Sequence, residues 1–155
     1  MAEQDKLEDF QHDFALLIEA GFVAVKQLDE VSARRLFEAA QILRPESTAP
    51  QIGLGYIALN KLEVKEASAI FEEVMQREPD NYLAQAFLGI AYLLVKAKRK
   101  KGEELISEAN EKSDDPTVKN LCSISLDWAE KDLKKKQEAK APFFQEAQEE
   151  EETKD

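Results

Sequence analysis

Residues 54–79, LGYIALNKLEVKEASAIFEEVMQREP, carry a pattern that returns along the chain at a fixed distance. Gly55 stands 34 residues after Gly21 and 34 before Gly89; Ala67, Phe71 and Pro79 stand 34 after Ala33, Phe37 and Pro45. Self-similarity at this period marks an array of short units, each too small to bury its own apolar face. Small, aromatic and proline positions in that order fit pairs of antiparallel helices. Glycine inside a helix costs about 1 kcal/mol against alanine, so three at one phase imply a packing reason: a residue without a side chain in the first helix lets the second approach. Ala33 and Ala67 are the small partners on the second helix, and Phe37 and Phe71, four residues on, share that face and fill the space between helices. Pro45 and Pro79 close the units, since proline cannot continue a helix that needs its backbone N–H. Ser47 or Thr48 is then expected to cap the third helix and Asp80 the fifth.

The third unit departs from the pattern. Leu88 and Gly89 keep phase with Leu54 and Gly55, but Lys101 stands where alanine is expected. Gly102, Ile106 and Ala109 fit if one residue has been inserted into the KAKRKK turn at 96–101. A last helix follows, opened by Asp115 and Pro116 and carrying Val118, Leu121, Cys122, Leu126 and Trp128. Ser123 continues the small-residue phase of Gly89, so this helix reads as the first half of an incomplete fourth unit. A terminal unit needs a polar outer face, and the lysine-rich DLKKKQEAK stretch at 132–140 supplies it.

Bulk properties bound the function. The 155 residues suit one domain by the usual prior of roughly 100–200 residues, and 43% apolar content is enough for a core. The net charge is −11, of which residues 146–155, EAQEEEETKD, contribute −5. Such an end reads as a disordered solubilising tail; in a competing reading Phe143 and Phe144 form a short docking segment that the acids keep exposed. An acidic body argues against nucleic acid, whose phosphates need a basic surface. Without interleaved aromatics the KAKRKK run reads as a solvated turn, open to an acidic partner or to the chain's own tail. MAEQDKLEDF at the start has neither the basic residues nor the apolar run of a signal peptide, and no stretch of about 18 apolar residues occurs. The expectation is a soluble, cytoplasmic protein.

No catalytic or metal pattern emerges. His12 is the single histidine and Cys122 the single cysteine. HExxH, GxSxG, phosphate-binding glycine loops and paired cysteines are missing. His12 reads as a surface or interface residue and Cys122 as a small core residue. A non-enzymatic protein without cofactor or metal is expected.

Over about residues 14–113 the chain resembles the tetratricopeptide-repeat superfamily, on Leu54, Gly55, Ala67, Phe71 and Pro79 and their counterparts in the other units. The resemblance implies an all-α solenoid of three helix-turn-helix repeats, about 14–47, 48–81 and 82–114. Residues 1–13 form an extension leading into the first helix, 115–140 a capping helix and 141–155 an acidic tail. In such arrays the first helix of each repeat lines a concave groove. Helical spacing then nominates Ile18, Phe22 and Val25, with Ala15, in repeat one; Ile52, Tyr56 and Leu59 in repeat two; and Leu83, Ala86, Ile90 and Leu93 in repeat three. Members that grip a C-terminal carboxylate use lysine, arginine and asparagine at these phases. Ile18, Phe22, Gly53, Leu83 and Ala86 stand there instead, which excludes that role.

An apolar groove of this kind needs an occupant. A client's amphipathic helix or extended segment, a second copy of the chain, or the chain's own terminal residues are all open, as is the reading that part of the set packs between neighbouring repeats. Size, acidity, three repeats and a final helix resemble the small cytoplasmic chaperones of type III secretion systems. With about a dozen residues ahead of repeat one, the likeness is to the needle-subunit chaperones, which cradle an amphipathic helix and work with a small helical co-chaperone. An adaptor or assembly scaffold without an export role is the alternative. Neither reading involves nucleic acid or membrane insertion.

Overall fold

Seven α-helices form in the computed structural model, which describes residues 2–134 and the side-chain surroundings of residues 12–134. They are α1 (Ala2–Lys26), α2 (Glu30–Leu43), α3 (Ala49–Asn60), α4 (Val64–Arg77), α5 (Tyr82–Leu93), α6 (Arg99–Lys112) and α7 (Pro116–Trp128). A 3₁₀ turn (Lys96–Lys98) precedes α6, a π-helical turn (Ala129–Lys134) follows α7, and no strand occurs among the described residues. Residues 2–13 continue directly into the first helix as part of α1. Within 115–140, where a capping helix is expected, the described residues form α7 and its π-helical turn; residues 135–140 and the acidic tail lie outside the described residues.

Local chemistry sets the helix starts. Asp29 caps α2, its carboxylate accepting the Ser32 N–H at 3.0 Å, and Asp115 caps α7 by accepting the Thr117 N–H at 2.8 Å, with Pro116 in the first turn. The cap of α5 is Asn81, whose Oδ1 accepts the Ala84 N–H at 3.0 Å, and not Asp80, which lies one residue too early. At α3, Ser47 Oγ accepts the Ala49 N–H at 3.3 Å. Thr48, at the cap position, makes no capping bond and donates its hydroxyl to Glu78 instead. Leu28 and Leu62, just past α1 and α3, sit in the left-handed region at φ 62° and 60°.

Packing follows the 34-residue pattern and adds to it. A Cβ on Gly21 would come within 2.5 Å of the Phe37 ring, and one on Gly55 within 2.7 Å of the Phe71 ring. A Cβ on Gly53 would lie 2.3 Å from Phe37, so that ring is wedged between its own first helix and the first helix of the next pair. In the third pair Gly89 and Gly102 face each other, with Ile106 in the aromatic position, and the 3₁₀ turn between them accommodates the extra residue. Ser123 is exposed; the buried serine of α7 is Ser125, whose hydroxyl donates to the Leu121 carbonyl at 2.7 Å. No described second helix covers the Ser123 side.

Each helix packs on the next, and α1, α3, α5 and α7 also pack side by side. The even helices make no comparable contacts with one another. The odd helices therefore form an inner row and the even helices a spread outer row.

Candidate partner-binding face

The inner row presents one half of the nominated residues and buries the other. Ile18 and Phe22 on α1, Tyr56 on α3, and Leu83 and Ile90 on α5 are half-buried. Val25, Ile52, Leu59, Ala86 and Leu93 are buried in the core. The cause is the side-by-side packing: Val25 meets the cluster around Phe37 and Ile57, Ile52 and Leu59 the cluster around Phe71, and Ala86 and Leu93 the cluster around Ile106 and Cys122. These five side chains hold neighbouring helices together. Ala15 and His12 are exposed near the start of the row.

Phe22, Tyr56, Leu83 and Ile90 rest on the central core cluster, and so does Leu121 of α7. The rings run in sequence. Phe22 meets Phe37 edge-on at 5.3 Å between centroids and Tyr56 at 5.5 Å; Tyr56 meets Phe87 at 5.3 Å, and Phe87 stacks on Phe71 at 5.4 Å. Such spacings are those of favourable aromatic pairs, and they hold the inner face rigid across three helix pairs. Leu121 and the half-buried Trp128 extend the apolar set onto α7. Both were absent from the nominated set. The signal was available: they follow Ala86 and Leu93 by 35 residues, the period plus the inserted residue.

The two central helices of the inner row, α3 and α5, carry no charged residue. Glu30 of α2 pairs with Arg34 at 3.2 Å and with Lys61 at 3.3 Å, and Lys61 also pairs with Glu63 at 3.0 Å. These bonds hold the Glu30 and Glu63 carboxyls below the usual carboxylate range. Glu78 is likewise held down, first by the Thr48 hydroxyl and then by the Asn81 amide, which donates at 3.0 Å. Tyr92 donates to Glu72 at 2.7 Å, which pushes its hydroxyl up to about 12. The buried Cys122 thiol is pushed up by desolvation, which favours the unreactive protonated form.

An open surface pocket of about 810 Å³ lies between α4 and the end of α5, lined by Leu62, Val64, Ala69, Tyr92 and Val95 with Lys65, Lys98, Glu63, Glu66 and Glu72. Leu62 and Leu28, 34 residues apart, are 69% and 85% exposed in their left-handed turns. Among the described residues no three His, Cys, Asp or Glu side chains are placed to share a metal ion, and no helix is long and apolar enough to cross a membrane. Comparison with protein-family models, with curated proteins and with solved structures finds no match to the chain.

Proposed function

We propose that the chain is a tetratricopeptide-type solenoid that binds protein, and that its inner face masks an amphipathic helix of a secreted subunit, as the needle-subunit chaperones of type III secretion do. One observation carries the reading. Phe22, Tyr56, Leu83, Ile90 and Leu121 form a half-buried apolar strip over four adjacent helices, backed by fixed rings. A subunit built to polymerise through an apolar helix aggregates in the cytosol, and covering that helix removes its surface from competition. If ~600 Å² of client apolar surface is covered, transfer favours binding by roughly 15 kcal/mol before ordering costs. Losing free translation and ordering the helix consume much of this, which leaves micromolar to nanomolar affinity. A small helical co-chaperone fits the same scheme as a second partner.

The test is affinity capture from native cytosol with the wild-type chain and an Ile18→Lys/Ile90→Lys variant. These two sites are chosen because neither is a member of the aromatic series, and far-UV circular dichroism checks that helicity is retained. The expected result is a small secreted helical subunit retained by the wild type and lost with the variant. Equal retention of a large assembly by both refutes the masking role and assigns a scaffold that uses another surface.

A further inference from the structure

The basic run at 96–101 is the densest concentration of positive charge in an acidic chain; the other, the lysine-rich stretch at 131–140, is interrupted by Asp132 and Glu138. The run at 96–101 holds Lys96, Lys98, Arg99, Lys100 and Lys101 within six residues. Among the described residues none of the five forms an ion pair, whereas Lys61, Lys112 and Lys131 each pair with a carboxylate. The run is held in shape: Arg99 donates its Nε–H to the Leu93 carbonyl at 3.2 Å, and the Lys98 ammonium sits 4.8 Å from the centre of the Tyr92 ring. Of the nearby acids, Glu72 is engaged by Tyr92, Glu103 by Lys134, and Glu108, which also feels the charge of Lys101, by Lys112; Glu63 and Glu66 line the same pocket as Lys98.

The Lys134 contact also says where the C-terminal segment starts. Its Nζ lies 3.9 Å from Glu103, four residues into α6 from Arg99, or about 6 Å along the helix axis. From Lys134 to Glu149 is 15 residues, a reach of up to ~50 Å. At 149–152 the chain carries four consecutive glutamates.

We propose that the acidic run at 149–152 of this chain docks on the basic run at 96–101. Charge complementarity supplies the attraction. The tether supplies the choice of occupant, because a covalent link of this length keeps the acids near the turn at roughly millimolar effective concentration, above that of any free acidic partner at ordinary levels. The contact screens the turn and leaves the apolar inner face open, so it is independent of the proposed client binding.

Zero-length carbodiimide crosslinking of the full chain at low micromolar concentration, read by mass spectrometry of the monomer band, tests it. The expected result is crosslinks from the acids at 149–152 to Lys96, Lys98, Lys100 or Lys101, falling at least several-fold between 20 and 500 mM NaCl. Amide exchange at 96–104 is expected to be slower in the wild type than in a Glu149→Gln/Glu150→Gln/Glu151→Gln/Glu152→Gln variant. Crosslinks confined to Lys135, Lys136, Lys140 or Lys154 overturn the proposal, as does unchanged exchange in the variant. Tail-to-turn crosslinks found only in dimers of mixed isotope labelling also overturn it, and assign a second copy as the occupant.

Discussion

Adding one methyl group at Gly53 tests the packing that joins the first helix pair to the second. The new Cβ would lie 2.3 Å from Phe37 Cε1 and 2.4 Å from Cζ, against an ordinary carbon–carbon contact of about 3.5–4.0 Å. The ring must therefore retreat by more than an ångström. It is fully buried, and on the Gly21 side there is no room either, since a Cβ there would lie 2.5 Å from the same ring. Overpacking of this kind costs about 1–3 kcal/mol, and a site closed on both sides belongs at the upper end. Replacing a helical glycine by alanine returns about 1 kcal/mol of propensity. The expected net effect of Gly53→Ala is a loss of about 2 kcal/mol. At this chain size that lowers Tm by roughly 6–8 °C. Urea unfolding followed by circular dichroism should show a lower midpoint with unchanged slope. On a Phe37→Leu background, where the ring is gone, the same substitution should cost much less, giving a coupling energy above 1 kcal/mol. A Gly53→Ala chain as stable as the wild type, or more so, would refute the wedge and leave propensity as the controlling term.

Three further outcomes follow from the geometry. Leu28→Asn should stabilise by about 0.5–1 kcal/mol in urea unfolding, because Leu28 is 85% exposed, buries little, and holds φ 62°, a conformation that asparagine adopts more readily. Spectrophotometric titration of the three tyrosines should find one that ionises near 12 and is lost in Tyr92→Phe. Since folding raises this pKa, the Tyr92 contribution to stability is complete below pH 10 and is lost as pH rises toward 12. Thr48→Val should cost about 1.5–3 kcal/mol at neutral pH, the range of a hydrogen bond to a charged group, and should move the Glu78 carboxyl back toward its ordinary value in an NMR titration. Folding lowers that pKa, so the difference between variant and wild type is present above the ordinary carboxylate range and vanishes as pH falls through the folded value.

The period made the helix pairs legible because the residues that repeat are the ones that meet: Gly21 with Phe37 and Gly55 with Phe71. The inserted residue of the third pair could be read the same way, from Gly102 and Ile106. Gly53 escaped because its counterparts at the period are Glu19 and Phe87; it serves a contact between pairs that the third pair fills with a ring instead. Asp80 and Asn81 are adjacent residues of the same capping type, so composition alone could not choose between them. For the candidate face, helical spacing identifies a direction but not a depth. Val25, Ile52, Leu59, Ala86 and Leu93 point toward the row of odd helices, where the next helix covers them, while Ile18, Phe22, Tyr56, Leu83 and Ile90 are only half covered.

That division also bears on how the face would bind. Phe22 and Tyr56 already contact rings on their inner sides, so a partner meets side chains whose rotamer freedom was given up on folding. The ordering cost that usually falls on association, about 0.5–1.5 kcal/mol for each mobile side chain, has largely been met by the fold. Affinity then depends on shape match along the strip from Phe22 to Leu121. The same rigidity sets a limit. Each ring is fixed by a neighbour in the adjacent helix pair, so a change that alters the spacing of the pairs, such as a methyl group at Gly53, must move Phe37 and with it Phe22. A substitution far below the surface is therefore expected to weaken partner binding by more than its effect on the folded fraction explains.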